Sequence, residues 1–439
     1  MFAHDPAVLG LTLPLWSVMP FVVFLLAMAL FPVFAPSFWQ RNYGKASLAI
    51  GFPTAAYFAA RAPGELLCLT MEYISFVVLL GALFIVSGGI LLRGAMRGSP
   101  AVNSAFIAVG AVLANLLGTT GASMLLIRPL LRANAGRKRS AHVVVFFIFI
   151  VANIGGSLTA IGDPPLFLGY LRGVPFFWTL FHMKWMWLFV VGTVLGIFYL
   201  VDLRAFWTER REREITAMDD IGDAKFPTPS VLPAFPFPSP GEKMSVSVEG
   251  KINFLLLAAV VGSVFLSAPF REISMVTAAI VSIRLTPIAI RKENGFTYHP
   301  IKEVAILFAG IFATMLPAIL ILKARGAGLG MTSPAHFFWA TGMLSGFLDN
   351  APTYLVFFSL AQSLGEAGQV AGVPVLLLKA VSAGAVFMGA NTYIGNAPNF
   401  MVKAIAEEAG VRMPSFFGYM GWSCVVLFPV FLLVTFIFF

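Results

Sequence analysis

The chain has 439 residues, 59% of them hydrophobic and only 11% charged, with a mean hydropathy of +0.88. A soluble domain carries about 25% charged residues, so this composition excludes an ordinary soluble enzyme and predicts an all-α polytopic membrane protein. The net charge of +9 lies in loops and does not point to nucleic acid, and the two cysteines, Cys68 and Cys424, fall in apolar runs where buried free thiols are expected.

Apolar runs of roughly the 20 residues needed to span fall near 15–36, 46–61, 65–92, 176–201, 251–268, 272–290, 303–322 and 414–439. The first has no basic leader and holds Pro14, Pro20 and Pro32, so it reads as a retained helix. Two more runs, 141–172 and 373–410, are interrupted. Two shorter ones, 101–133 and 334–364, break halfway, at Leu117–Gly121 and Leu348–Pro352. Each half is too short to cross, which predicts re-entrant hairpins beside about ten spans. The chain then divides into N-terminal helices (1–63), repeat 1 (64–205), a proline-rich cytoplasmic linker (206–250), connecting helices (251–298) and repeat 2 (299–439). Each repeat holds one hairpin and one broken helix.

Lysine and arginine set the orientation. If the loop carrying Arg128, Arg132, Arg137, Lys138 and Arg139 is cytoplasmic, nearly every other basic loop falls on the same side. Both termini are then external, and the two hairpins enter from opposite faces. That is the inverted topology of two repeats related by an axis in the membrane plane.

The stretch Asn153 to Pro165, NIGGSLTAIGDPP, organises the chain. Proline removes a donor and clashes with the preceding turn, so no helix keeps its ladder through Gly-Asp-Pro-Pro. Broken backbone at membrane depth survives where protein buries it or where it lines a wet cavity. An aspartate there is a functional-site hypothesis. Gly389 to Asn399, GANTYIGNAPN, repeats the device: Thr159, Ile161, Gly162, Asp163 and Pro165 match Thr392, Ile394, Gly395, Asn396 and Pro398. At the hairpin tips, Thr119-Thr-Gly-Ala-Ser123 matches Asp349-Asn-Ala-Pro-Thr353.

Four polar clusters are therefore expected near the midplane. Tip one offers Thr119, Thr120 and Ser123. Loop one offers Asn153, Ser157, Thr159 and Asp163. Tip two offers Asp349, Asn350 and Thr353, and loop two Asn391, Thr392, Asn396 and Asn399. Oxygens of this kind suit an alkali cation, and Asp163 and Asp349 are the candidate sodium ligands. The inverted pairing groups Asp349 with Asn391, Thr392 and Asn396, and Thr119 and Thr120 with Ser157, Thr159 and Asp163, one carboxylate in each half-site. The plainer reading makes each aspartate a helix cap, because Pro164 and Asn350-Ala-Pro both look like helix starts. His142, His182, His299 and His336 read as interfacial residues. Glu72 and Glu303 read as helix-end carboxylates or as members of a proton path. No nucleotide-binding loop, Cys/His metal spacing or nucleophilic triad supports an enzyme, and no cofactor is expected beyond a sodium ion or proton as coupling ion.

At GGSLTAIGDPP and its echo TYIGNAPN the chain resembles the ion transporter superfamily of sodium/proton antiporters of the NhaD type, arsenite permeases and citrate or dicarboxylate carriers. Asn153-Ile-Gly-Gly and Ile161-Gly-Asp163 are similar to the antiporter pattern, in which that aspartate serves sodium and proton exchange. Pro164-Pro165 and Pro398-Asn399 look more like the carboxylate branch, which carries Ser-Asn-Thr at its hairpin tips where this chain has Thr-Thr-Gly and Asp-Asn-Ala. The resemblance implies a scaffold, a mobile transport domain, a homodimer in a bacterial-type inner membrane, and a small inorganic ion or carboxylate as substrate. The expectation drawn is a sodium/proton antiporter working by alternating access. The alternatives are a sodium- or proton-coupled citrate carrier and an arsenite-type permease.

Overall fold

The computed structural model describes residues 6–94, 98–222, 246–365 and 369–439. Helices α1 (Pro6–Thr12), α2 (Met19–Phe34), α3 (Pro36–Arg61) and α4 (Pro63–Ser87) open the chain. The last three begin with proline in the first turn, where its missing N–H leaves no bond unmade. A short strand, β1 (Leu91–Gly94), leads to α5 (Pro100–Ala133). Although its hydrogen bonding is nearly continuous, α5 is a hairpin. Gly118 turns the chain with φ 73° and ψ 156°, a Cβ placed on Gly110 would lie 3.0 Å from Leu126 on the returning limb, and Asn103 and Asn134 close the base through amide bonds of 3.0 and 2.8 Å.

The first broken helix follows: α6 (Ala141–Ile150), a 3-10 turn over Ile154–Leu158, and α7 (Pro164–Leu171). Every residue of α6 from His142 onward is buried, as expected for an apolar helix walled in by protein rather than lipid. Then come α8 (Trp178–Gly222), β2 (Val246–Glu249), α9 (Ile252–Ser263), α10 (Phe270–Leu285), α11 (Ile288–Glu293) and α12 (His299–Arg325). The second hairpin is α13 (Pro334–Leu348) and α14 (Asn350–Gln362), and the second broken helix is α15 (Val375–Met388), a 3-10 turn over Gly389–Asn391, and α16 (Ala397–Glu408). The long α17 (Phe416–Phe438) ends the chain.

These helices pack as two groups. One holds α3, α4, α9, α10 and α12. The other holds the hairpins and broken helices braced by α8 and α17, with α13 against α15, α7 against α14 and α5 against α16. The groups meet where α4 touches α5 and α7, and where α12 touches α14. The all-α membrane architecture stands. Among the described residues, seven helical segments are long and apolar enough to cross, including the whole first hairpin and the first half of the broken helix. The runs at 46–61, 251–268 and 272–290 form α3, α9 and α10 and are not among the seven. α3 carries Gln40, Arg41, Asn42 and Lys45 in its first half, and α9 and α10 have 12 and 16 residues.

Several expectations are corrected. Cys68 and Cys424 are exposed, on faces of α4 and α17 that no other helix covers; they share those faces with the exposed side chains of Leu67, Met71 and Val425. His142 is buried and bonded to Asp202, because the first turn of α6 packs beneath α8. The stretch before residue 250 ends in a strand: β2 pairs antiparallel with β1, and Arg93 bridges Glu249 at 3.0 Å. Most of the proline-rich linker, 223–245, lies outside the described residues.

Candidate functional site

Both broken helices lean on their hairpins through a threonine hydroxyl that donates to a hairpin carbonyl. In repeat 1, Thr119 N–H at the hairpin tip donates to Gly162 O at 2.8 Å, and Thr159 Oγ1 donates to Asn115 O at 2.6 Å on the entering limb. In repeat 2, Thr392 Oγ1 donates to Gly346 O at 2.5 Å. The unwound segments thus satisfy their polar groups by leaning on the hairpins, which is what keeps irregular backbone tolerable at this depth. Asn115 adds three more bonds: its amide reaches Ala111 O at 3.0 Å and Gly155 O at 2.7 Å, and its carbonyl takes Leu158 N–H at 2.8 Å. The sequence reading passed over this residue. Its signal was there: an amide deep in an apolar limb, three positions before the turning glycine.

The backbone also corrects the alignment of the tips. Gly118 and Asp349 share one conformation, so Gly118 corresponds to Asp349 and Thr119 to Asn350, one position from the match of Thr119 with Asp349.

Asp163 sits in the position that starts α7, yet its side chain makes no capping bond. It is 1% exposed and turned toward three donors. Thr119 Oγ1 donates to Oδ1 at 2.7 Å, Asn396 Nδ2 to Oδ1 at 3.0 Å, and Asn350 Nδ2 to Oδ2 at 2.5 Å. One carboxylate thus gathers the first tip, the second tip and the second broken helix. The plain capping reading fails for Asp163. It holds for Asp349, which accepts the Ala351 N–H at 3.1 Å while Thr353 Oγ1 returns to Asp349 O at 2.8 Å. The expected grouping forms for Thr119 with Asp163, and Thr392 bonds the second hairpin at Gly346 O, but Asn396, expected with Asp349, turns across to Asp163.

A second layer ties the two broken helices together. Asn396 Nδ2 also reaches Asn153 Oδ1 at 3.2 Å and Ala152 O at 3.1 Å. Asn153 Nδ2 donates to Asn399 Oδ1 at 2.7 Å, and Asn399 Nδ2 holds Gly389 O and Thr392 O at 2.8 and 2.9 Å. Ser157 bonds within its own turn, to Ile154 O at 3.0 Å. Thr120 is half-buried. Ser123 Oγ, Asn391 Oδ1 and Asn350 Oδ1 are buried without a partner among the described residues.

No Lys or Arg forms an ion pair with Asp163 among the described residues. A carboxylate out of water without countercharge is costly, by several kcal/mol even after relaxation. Neutral donors reduce that cost and leave the charge unbalanced. Among the same residues no three His, Cys, Asp or Glu side chains are grouped to hold a metal, so an alkali cation at Asp163 would draw its other ligands from amide, hydroxyl and backbone oxygens. Thr119 Oγ1 touches Asp163 directly, Asn350 carries an Oδ1 with no partner among the described residues, and Asn153 Oδ1 is one bond further away, through Asn396. Glu72 is engaged elsewhere, bridging Arg172 at 3.1 Å.

A family model described as "Putative citrate transport" matches residues 10–439. No curated protein matches the chain. With nearly the whole chain covered, and with hairpins and broken helices closing on one buried acid, the protein belongs to this citrate-transport family of multi-pass membrane transporters.

Proposed function

We propose that the protein is a secondary transporter that couples a sodium ion or proton to the movement of a citrate-class carboxylate by alternating access, with Asp163 as the anchor of the coupling cation. The observation that carries this reading is the environment of Asp163: a buried carboxylate held by Thr119, Asn350 and Asn396, all neutral. A cation or proton supplies the missing charge. Three helices, α7, α14 and α16, begin around this acid, and helix N-termini favour anions. An anionic substrate is repelled by a bare Asp163 and admitted once a cation neutralises it, which makes coupling obligatory. The family description supports the substrate class.

The sodium/proton antiporter is the second reading. It is favoured by a second acid, Asp349, whose chain neighbour Asn350 touches Asp163. Purified protein in liposomes separates the two. On the first reading, labelled citrate accumulates when an inward sodium or proton gradient is imposed and stops when an ionophore collapses it. Sodium-driven proton movement with no citrate uptake selects the antiporter. Neither flux, from protein shown to be folded, ends both readings.

A further inference from the structure

A cavity of about 630 Å³ opens at the base of the first hairpin, between its returning limb, the loop after it and the turn that follows α16. Six cations line it: Arg128, Arg132, Arg137, Lys138, Arg139 and Arg412. Its one carboxylate, Glu293, is already paired with Arg93. The partners of the six divide them. Arg137 bridges Asp202 at 2.6 Å and Arg139 bridges Glu212 at 2.6 Å. Among the described residues Arg128 and Arg132 reach only backbone, Asn294 O at 2.9 Å and Leu92 O at 2.7 Å. Lys138 and Arg412 make no ion pair among the described residues. Arg137 is 7% exposed at its side chain; its Nε faces the Glu209 carboxylate at 4.0 Å, and Nε and Nη2 make no hydrogen bond among the described residues.

Orientation in a membrane accounts for basic loops on one face. It does not by itself gather four cations that bond no carboxylate among the described residues (Arg128 half-buried; Arg132, Lys138 and Arg412 exposed) around one recess beside a buried guanidinium, where like charges repel. Such a recess focuses positive potential, and guanidinium forks match the paired oxygens of carboxylates and phosphates. We infer that this cavity is a binding site for a multiply charged oxyanion, carboxylate or phosphate, distinct from the Asp163 site. Asp163 contacts Thr119 near the hairpin tip, and the stretch from there to Arg132 rises about 20 Å along the limb. An anion bound here joins repeat 1 to repeat 2, since Arg132 and Lys138 belong to the first and Arg412 to the second. The site stands whatever the transported substrate is.

The source is either a free anion or the phosphate headgroup of a membrane lipid, and one experiment covers both. The full chain, exchanged out of lipid into detergent, is titrated with Tris pyrophosphate by calorimetry against Tris chloride of equal ionic strength. Binding beyond the chloride control is expected. The double variant Lys138→Gln/Arg412→Gln is expected to weaken it about tenfold or more, with unchanged thermal unfolding in the absence of anion, because both side chains are exposed and unpaired. Asp163→Asn is expected to leave it intact. In nanodiscs, loss of pyrophosphate binding with phosphatidylglycerol but not phosphatidylcholine identifies a headgroup as the natural occupant, and equal binding in both identifies a free anion. Heats no larger than chloride gives, or affinity unmoved in the double variant, overturn the site.

Discussion

Gly118 and Asp349 hold the same backbone conformation at the two hairpin tips, φ/ψ 73/156° and 72/141°. The residue after each, Thr119 and Asn350, bonds the two oxygens of Asp163. The region is close to glycine-only, and a side chain held there costs about 1–3 kcal/mol. Glycine satisfies it in repeat 1; Asp349 bears the strain in repeat 2 and recovers part of it through the bond from Ala351 N–H. Asp349→Gly is therefore expected to raise thermal stability in detergent by up to about 2 kcal/mol, while Asp349→Ala lowers it by removing the cap and keeping the strain. Equal melting temperatures for the two variants would contradict this account. Transport by Asp349→Gly then reports whether the carboxylate has a part beyond its cap.

Asp163 invites a contrast of charge with shape. Asp163→Asn keeps the volume and one acceptor oxygen for Thr119 and Asn396, and turns the other into a donor that the unpartnered Asn350 Oδ1 can meet by an amide flip; it removes the charge, so it is expected to fold, to be at least as stable as the parent, and to lose coupled transport. Asp163→Ala leaves Thr119 Oγ1 and the amides of Asn350 and Asn396 without their acceptor, at about 1–3 kcal/mol for a buried group left unpaired. Sodium at one hundred times its dissociation constant stabilises a binding protein by about 2.7 kcal/mol. That increment, read as a thermal shift, is expected in the parent and absent in both variants. A sodium shift persisting in Asp163→Asn means that the cation is anchored elsewhere.

The breaks themselves depend on paired glycines. A Cβ on Gly162 would run into Gly156 O, and one on Gly395 would lie 2.5 Å from Gly389 O. Both obstacles are backbone, which has nowhere to move inside the packed core. Gly162→Ala and Gly395→Ala are each expected to prevent accumulation of folded, monodisperse protein. Gly192→Ala, with open space around the new methyl, is expected to purify as the parent does. Fluorescence-detected size exclusion of tagged protein reads all three.

How much of this was legible beforehand depends on the range of the interaction. The break at Asn153 to Pro165 and its echo at Gly389 to Asn399 are written in glycine and proline, whose effect is local. The three partners of Asp163 all come from stretches that stood out as polar within apolar runs. The register of the tips was off by one because polar residues were matched to polar residues, whereas the fold matches torsions and puts Asp349 where repeat 1 has glycine. Asn115 was missed as a single amide without a local pattern. The buried set of Asn103, Asn134, Arg137, His142 and Asp202 joins elements up to 99 residues apart, and no periodicity announces such a contact. The exposed thiols of Cys68 and Cys424 were misjudged because apolar surroundings in a membrane sequence mean lipid as often as protein.

That buried set gives the last prediction. Asp202, 0% exposed, receives Arg137 at 2.6 Å, the His142 ring at 2.8 Å and Asn103 Nδ2 at 2.9 Å. It fastens the hairpin base, the loop beyond it and the start of α6 to one point on α8, so these parts are expected to move as one body. Removing one partner of a buried ion pair costs about 3–5 kcal/mol, because the other charge is stranded. Asp202→Asn leaves the Arg137 guanidinium only the longer pair to Glu209 at 4.0 Å and should lower stability toward that order. Arg137→Met leaves Asp202 the His142 and Asn103 bonds and should cost less. With both changed, neither charge remains, and the double variant should be more stable than the sum of the single losses allows, by about 0.5–3 kcal/mol of coupling. Thermal unfolding of the four proteins in one detergent gives the cycle. Strict additivity would mean that Arg137 and Asp202 do not hold each other, and that the loop beyond the hairpin is not fastened to α8 by this pair.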